Sequence, residues 1–192
     1  YGAVYRIRRK KGLSHPDPRG AMINWSTLSA PELIELLADS RPTVRDRAEA
    51  RLVTKGKAAL APLARACAPG TSRNPDVRRR AVFALSQLKV QNLTGALEPC
   101  LRDPDPEVRQ AAARSLGELR SEGATDSLST TLADPDPAVR RAVATALGRI
   151  GSRQAVDPLF RSLRPDSEPA FQHAVRLALI EIGDSTACRP TN

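Results

Sequence analysis

The sequence predicts an all-α, right-handed solenoid of about five helix pairs, preceded by a short N-terminal β-strand. Three observations carry that reading. A motif recurs at nearly constant spacing. Within each copy the apolar residues stand four and eight apart. Aromatic residues make up only 3% of a chain whose hydrophobic share is 41%, so the core must be built from Ala, Leu and Val, which suits closely packed helices better than a sandwich or barrel.

The repeat is plainest where "DPDPEVRQAAARSLGEL", beginning at Asp103, returns as "DPDPAVRRAVATALGRI", beginning at Asp134. With the valine of that stretch as reference, the same place is held by Val44, Val77, Val108, Val139 and Phe171, at spacings of 33, 31, 31 and 32 residues. Four residues after each come Ala48, Ala81, Ala112, Val143 and Val175; eight after come Leu52, Leu85, Leu116, Leu147 and Leu179. These positions share one helical face. Two residues before each reference stands a proline (Pro42, Pro75, Pro106, Pro137, Pro169), at the first helical position, where the missing N–H would have had no partner. Just ahead of it come Arg41, Asn74, Asp105, Asp136 and Glu168, and the Asn and Asp side chains of the middle three copies can accept from the first free amides.

A second set of helices lies between these, marked by Leu33 with Leu37, Leu63 with Cys67, Leu97 with Leu101, Leu128 with Leu132, and Leu159 with Leu163. Gly56, Gly123, Gly151 and Gly183 fall near the junctions, where a permissive backbone ends one helix and starts the next. The first pair opens at "APELIELLAD" and the last helix is expected to end near Gly183. A period of this length, made of two helices, describes a unit that buries its apolar face only against a neighbour. The two quoted runs resemble HEAT repeats of the short bacterial type associated with phycobilisome lyases, over residues 29–184. The resemblance implies a helical binding scaffold and by itself no activity.

Arg45, Arg78, Arg109 and Arg140 follow the reference position, and Asp39, Asp103, Asp134 and Asp166 precede it by five residues. They read as a structural ladder in which acid and base pair within or between adjacent repeats and cap the turns, with phosphate contacts as the alternative. The other two residues of the "RRR" run, Arg79 and Arg80, read as a solvated helix face. The leucine-marked helices are expected to line the concave side, which makes Arg65, Glu98, Arg102, Asp126, Asp157 and Arg161 the candidate binding face. Their mixed signs suit a protein partner better than a phosphate backbone.

The formal charge is +9, but +5 of it lies in residues 1–21, where Arg6, Arg8, Arg9, Lys10, Lys11 and Arg19 face only Asp17. The basic excess that would point to nucleic acid therefore belongs mostly to a tail. Cys67, Cys100 and Cys188 form no CxxC or CxxCH, and Cys67 and Cys100 fall in apolar helical patterns as buried thiols. Neither His15 nor His173 has a nucleophile pattern beside it, and no GxGxxG, P-loop or HExxH occurs. No catalytic residue, cofactor or metal is expected in this segment. No apolar run is long enough to span a membrane, and no signal peptide is visible.

"YGAVYRIRRKKG" at the start reads as a β-strand and a basic turn, and "SHPDPRGAMINWS" as a Pro- and Gly-punctuated linker. Residues 1–28 are thus set apart from the array, as is a tail at 185–192. A lone strand needs partners for its backbone, which implies a sheet domain upstream. "GAVYRIRR" is similar to the closing strand of the propeller domain in bacterial sorbosone or glucose dehydrogenase-like proteins. That resemblance implies an arm of a secreted multidomain protein outside the cytoplasm; with no CxxCH, no haem role comes with it. If Met22 is instead the start, a small cytoplasmic scaffold is expected. The expected function is a monomeric, non-catalytic module for protein binding or domain spacing, part of a larger bacterial protein. The alternative from another class is a nucleic-acid-binding array resembling HEAT-like alkylpurine glycosylases.

Overall fold

A computed structural model of the protein describes residues 15–71, 74–91 and 93–187. The strand expected at the N terminus lies outside them, as does Cys188; among the described residues every regular element is helical. Helix α1 (Ala30–Glu35), prolonged by a 3-10 turn (Leu36–Ala38), leads into α2 (Pro42–Thr54), and α3 (Lys57–Cys67) leads into α4 (Pro75–Ser86). Helix α5 (Thr94–Leu97) with a 3-10 turn (Glu98–Arg102) precedes α6 (Pro106–Glu118). Helix α7 (Thr125–Thr131) precedes α8 (Pro137–Ile150), and α9 (Val156–Ser162) precedes α10 (Pro169–Ala187), which runs past the end expected at Gly183.

The starts of the valine-marked helices follow from their caps. The side chain of Asn74 accepts from the Asp76 amide at 2.9 Å. Asp105 accepts from Glu107 and Val108, and Asp136 from Ala138 and Val139, at 2.8 to 3.4 Å. Each such cap is worth about 1 kcal/mol. Helix α1 opens with a reciprocal capping box between Ser29 and Glu32, the Ser29 amide donating to the Glu32 carboxylate at 2.7 Å.

Two rows result, and they differ in closeness. The valine-marked helices α2, α4, α6, α8 and α10 pack against one another in chain order, most intimately from α6 to α10, whereas the short leucine-marked helices touch one another sparingly. Small residues permit the close row. A β-carbon on Gly117 would come within 2.7 Å of the Ala146 Cα, and one on Gly148 within 2.7 Å of the Ala178 Cα. The core lies between the rows, where Leu33, Leu63, Leu97, Leu128 and Leu159 meet Leu52, Leu85, Leu116 and Leu147, all buried. Full burial of such a side chain stabilises by about 1.5–3 kcal/mol.

The stretch expected to be a linker packs on the first pair. Trp25 is buried, donates from Nε1 to the Gly20 carbonyl at 2.8 Å, and lies 4.6 Å beneath the Arg47 guanidinium. Gly20 has φ +66°, and a β-carbon there would meet Val44 at 2.8 Å. Only glycine suits both the turn and the contact. Asp17 completes this cover by accepting from the Ala21 and Met22 amides and pairing with Arg41 at 3.5 Å. Residues 15–28 therefore close the first end of the stack, because Trp25 packs on α2 and Ile23 and Leu28 pack against the same core.

Candidate functional site

The acid and base positions of the repeat meet in two of the turns. Arg78 Nε and Nη2 donate to the two carboxylate oxygens of Asp103 at 2.6 and 2.9 Å, with 6% and 0% of the two side chains exposed. Arg109 grips Asp134 through the same two nitrogens, at 2.7 and 2.8 Å. Its Nη1 meanwhile donates to the carbonyls of Asp103 and Pro104. Each acid also holds its own turn, Asp103 accepting from the Asp105 amide and Asp134 from the Asp136 amide. One arginine thus ties its own turn to the next by charge-assisted, two-pronged bonds. Burial alone would raise the Asp134 carboxyl, but Arg109 and the Asp136 amide outweigh it and hold the group below its ordinary pKa.

The outer rungs are built differently. Asp39 is engaged by Arg41 of its own turn at 2.7 and 2.8 Å, which brings its carboxyl down to about 2. Arg45 donates to the Asp39 and Ser40 carbonyls. Arg140 holds the Asp134 and Pro135 carbonyls through Nη1, but the structure does not bring Asp166 to it; Asp166 is exposed. The reason is a one-residue insertion. Asp103 and Asp134 stand two residues after Leu101 and Leu132, whereas the second residue after Leu163 is Pro165. Counting from the valine hides this shift.

The six candidate binding residues all stand on the leucine-marked row. Arg65, Arg102, Asp126, Asp157 and Arg161 are exposed, while Glu98 is half-buried and accepts from the Ser127 hydroxyl of the next repeat. Of these, Arg161 lines a cavity at the turns joining α7 to α10. A groove of about 730 Å³ lies on the other row, across α2, α4 and α6. Phe83, on the central helix of the three, is 53% exposed and lines it. Charged pairs ring the phenylalanine. Arg80 donates to Asp46 and Glu49, each at 3.1 Å, and Arg79 pairs with Asp76 at 2.9 Å and Glu107 at 3.4 Å. Arg79 and Arg80 are thus half-buried bridges between helices rather than a freely solvated face. Burial holds the Glu49 carboxyl above its ordinary pKa against the pull of Arg80. The sequence does carry a signal for Phe83. It stands six residues after the reference valine, where Ala50, Arg114, Thr145 and Leu177 are also exposed, so the periodicity places this large apolar side chain toward water.

Cys67 and Cys100 are fully buried free thiols. The Cys100 thiol lies against Cys67 and its pKa is pushed up, first by the hydrogen bond with that thiol and then by burial, which makes it inert rather than nucleophilic. His173 is exposed on α10, and His15 accepts from the Asp17 amide at 3.0 Å. Among the described residues no group of three His, Cys, Asp or Glu could hold a metal ion, and no helix is long and apolar enough to cross a membrane.

The repeat geometry has a counterpart among known families: the pattern of HEAT repeats matches residues 70–134 and again 126–190. The chain belongs to the HEAT-repeat family. No curated protein sequence matches it. Among solved structures, this HEAT array is similar to the complex of CpcE and CpcF of phycocyanin lyase from Nostoc sp. PCC7120, at 24% identity and a TM-score of 0.63 over 97% of this chain and 72% of that one. It is also similar to human deoxyhypusine hydroxylase in complex with glycerol, at 22% identity and a TM-score of 0.58 over 81% and 74% of the two chains. An engineered protein matches at 21% identity and a TM-score of 0.52. At these identities the likeness extends to the helical scaffold.

Proposed function

We infer that this HEAT array is a non-catalytic protein-binding module, a right-handed solenoid whose inner side is the valine-marked row. Helices on the inside of a curve are closer together than those outside, and α2 to α10 form the closer row. On that reading the six charged residues of the leucine-marked helices decorate the convex side, the reverse of the sequence-based expectation. The groove on α2, α4 and α6 becomes the binding seat.

Phe83 carries this inference. Interface hot spots are large side chains at the centre of a patch, ringed by polar groups that exclude water once a partner is seated. A half-exposed phenylalanine inside a ring of ion pairs has that form. The ring counts against the nucleic-acid reading, because Asp46, Glu49, Glu107 and Glu118 oppose Arg79, Arg80 and Arg114 along the same groove and would repel a phosphate backbone.

Site-directed photocrosslinking tests the reading. A photoreactive side chain at position 114 should yield a discrete protein adduct in extracts of the source cells, and Phe83→Ser in the same chain should abolish it. The same group at position 157 should yield no such adduct. Adducts from 157 rather than 114, or tight duplex DNA binding that weakens steeply with salt, would overturn it.

A further inference from the structure

The open rung at Arg140 leaves a place that the preceding repeats fill. We propose that the cavity beside Arg140 is a binding site for a carboxylate presented by a partner polypeptide, seated on the Nε and Nη2 edge of that guanidinium. The cavity measures about 720 Å³ and lies where α7, α8, α9 and α10 converge at their turns. It is separate from the Phe83 groove and does not depend on it.

The repeats themselves supply the template. Arg109 holds its own turn with Nη1 and a carboxylate of the next turn with Nε and Nη2. Arg140 holds its own turn in the same way, through bonds of 2.8 and 2.9 Å to the Asp134 and Pro135 carbonyls. Its guanidinium is packed over the Phe171 ring, 5.8 Å from the centroid. Its orientation is thereby fixed, yet its other edge has no carboxylate partner among the described residues. The ligand chemistry follows from the fork, since two parallel N–H donors match a carboxylate.

Charge and an orphaned hydroxyl point the same way. Ser129 lines the cavity, and its Oγ is buried with no hydrogen-bond partner among the described residues, a cost that a polar group settling beside it would relieve. Arg161 and Arg164 also line the cavity, and no acid among the described residues pairs with either. Of the acids around it, Asp134 is taken by Arg109 and Glu168 by Arg141 at 2.8 Å, which leaves only the exposed Asp166 to oppose three guanidinium groups.

The probe comes from the chain itself. A capped peptide with the sequence of residues 132–137, "LADPDP", presents the carboxylate that fills the Arg109 rung. Titrated into the full-length protein, it should shift the Arg140 Nε–Hε NMR signal to saturation, while the "LANPDP" peptide should not. Arg140→Lys, which loses the fork, should weaken binding by at least about tenfold. Because Arg140 also braces its turn, Arg161→Gln on the exposed surface of α9 serves as a second variant and should weaken binding by a few fold. Equal binding of the Asn peptide, or no shift at Arg140, would overturn the proposal. Inorganic phosphate saturating the site where the peptide does not would overturn the assignment to carboxylate. The proposal also fails if Asp166→Asn, without ligand, moves the Arg140 signal as far as Asp134→Asn moves that of Arg109, because Asp166 would then fill the rung in solution.

Discussion

The turn before α6 and the turn before α10 begin from nearly the same sequence and end in different states. In the first, Asp103 is buried, grips Arg78 and holds the Asp105 amide; in the second, a one-residue insertion puts Pro165 where the acid would stand and leaves Asp166 in solvent. The comparison shows that a repeat motif encodes a slot, and that the chain between Leu and Pro decides whether the slot is filled. A filled slot is stability. An open one is a surface with unspent hydrogen-bonding capacity.

The sharpest way to break the comparison is to remove each acid. Asp103→Ala leaves the Arg78 guanidinium buried without its carboxylate, and loss of one partner from a buried pair costs about 3–5 kcal/mol. Asp166→Ala should stay within about 0.5 kcal/mol, as for an exposed residue outside any bonded network. Urea unfolding followed by circular dichroism compares the two directly. Equal losses would mean that Asp166 closes its rung in solution.

Acid should separate the rungs next. The carboxyls of Asp39 and Asp134 are depressed in the folded state, Asp39 to about 2. A group with a depressed folded pKa stabilises fully above its ordinary range and loses that contribution as pH falls through the folded value. Stability should therefore decline from about pH 4 toward pH 2. Asp134→Asn should flatten part of that decline, as thermal unfolding across the range would show. An acid profile identical to that of the unchanged protein would remove the claim that this rung stabilises the fold through its ionised carboxylate.

Much of the fold was legible because it depends on local counting. The positions of Val108, Ala112 and Leu116 lie on one helix face whatever surrounds them, and Asp105 and Asp136 cap their helices through bonds to residues two and three places on. What depends on the neighbouring repeat was less legible. The partner of Arg78 lies 25 residues away, a spacing that no single helix period selects, so pairing within and between repeats both stood open. The sequence shows two apolar faces alike; what separates the rows is Gly117 and Gly148, whose missing side chains let α6, α8 and α10 close up. Phe83 lies off the helix face that Val77, Ala81 and Leu85 define, so the apolar periodicity does not single it out.

The smallest expected effect compares two helix ends one repeat apart. Helix α8 closes at Gly151 with φ +73°, and 31 residues earlier, after α6, the same left-handed conformation is taken by Arg120 with φ +47°. Glycine adopts that region freely, whereas a side chain brings its Cβ too close to the following carbonyl, at about 1–2 kcal/mol. Both chain ends reverse in the same way, so the backbone is set by the stacking and the residue has to conform. Arg120→Gly should therefore stabilise the protein. The gain should be below the full strain, about 0.5–1 kcal/mol, because glycine also gives the unfolded chain more freedom to lose. Arg120 is exposed, so little packing is forfeited. The reverse change, Gly151→Arg, should cost about 1 kcal/mol or more, since Gly151 is buried and a long side chain must also find a way out. Opposite signs for the two variants in urea unfolding would confirm that one conformational demand recurs with the repeat. Destabilisation by Arg120→Gly would mean that the arginine contributes more through its surroundings than its backbone costs.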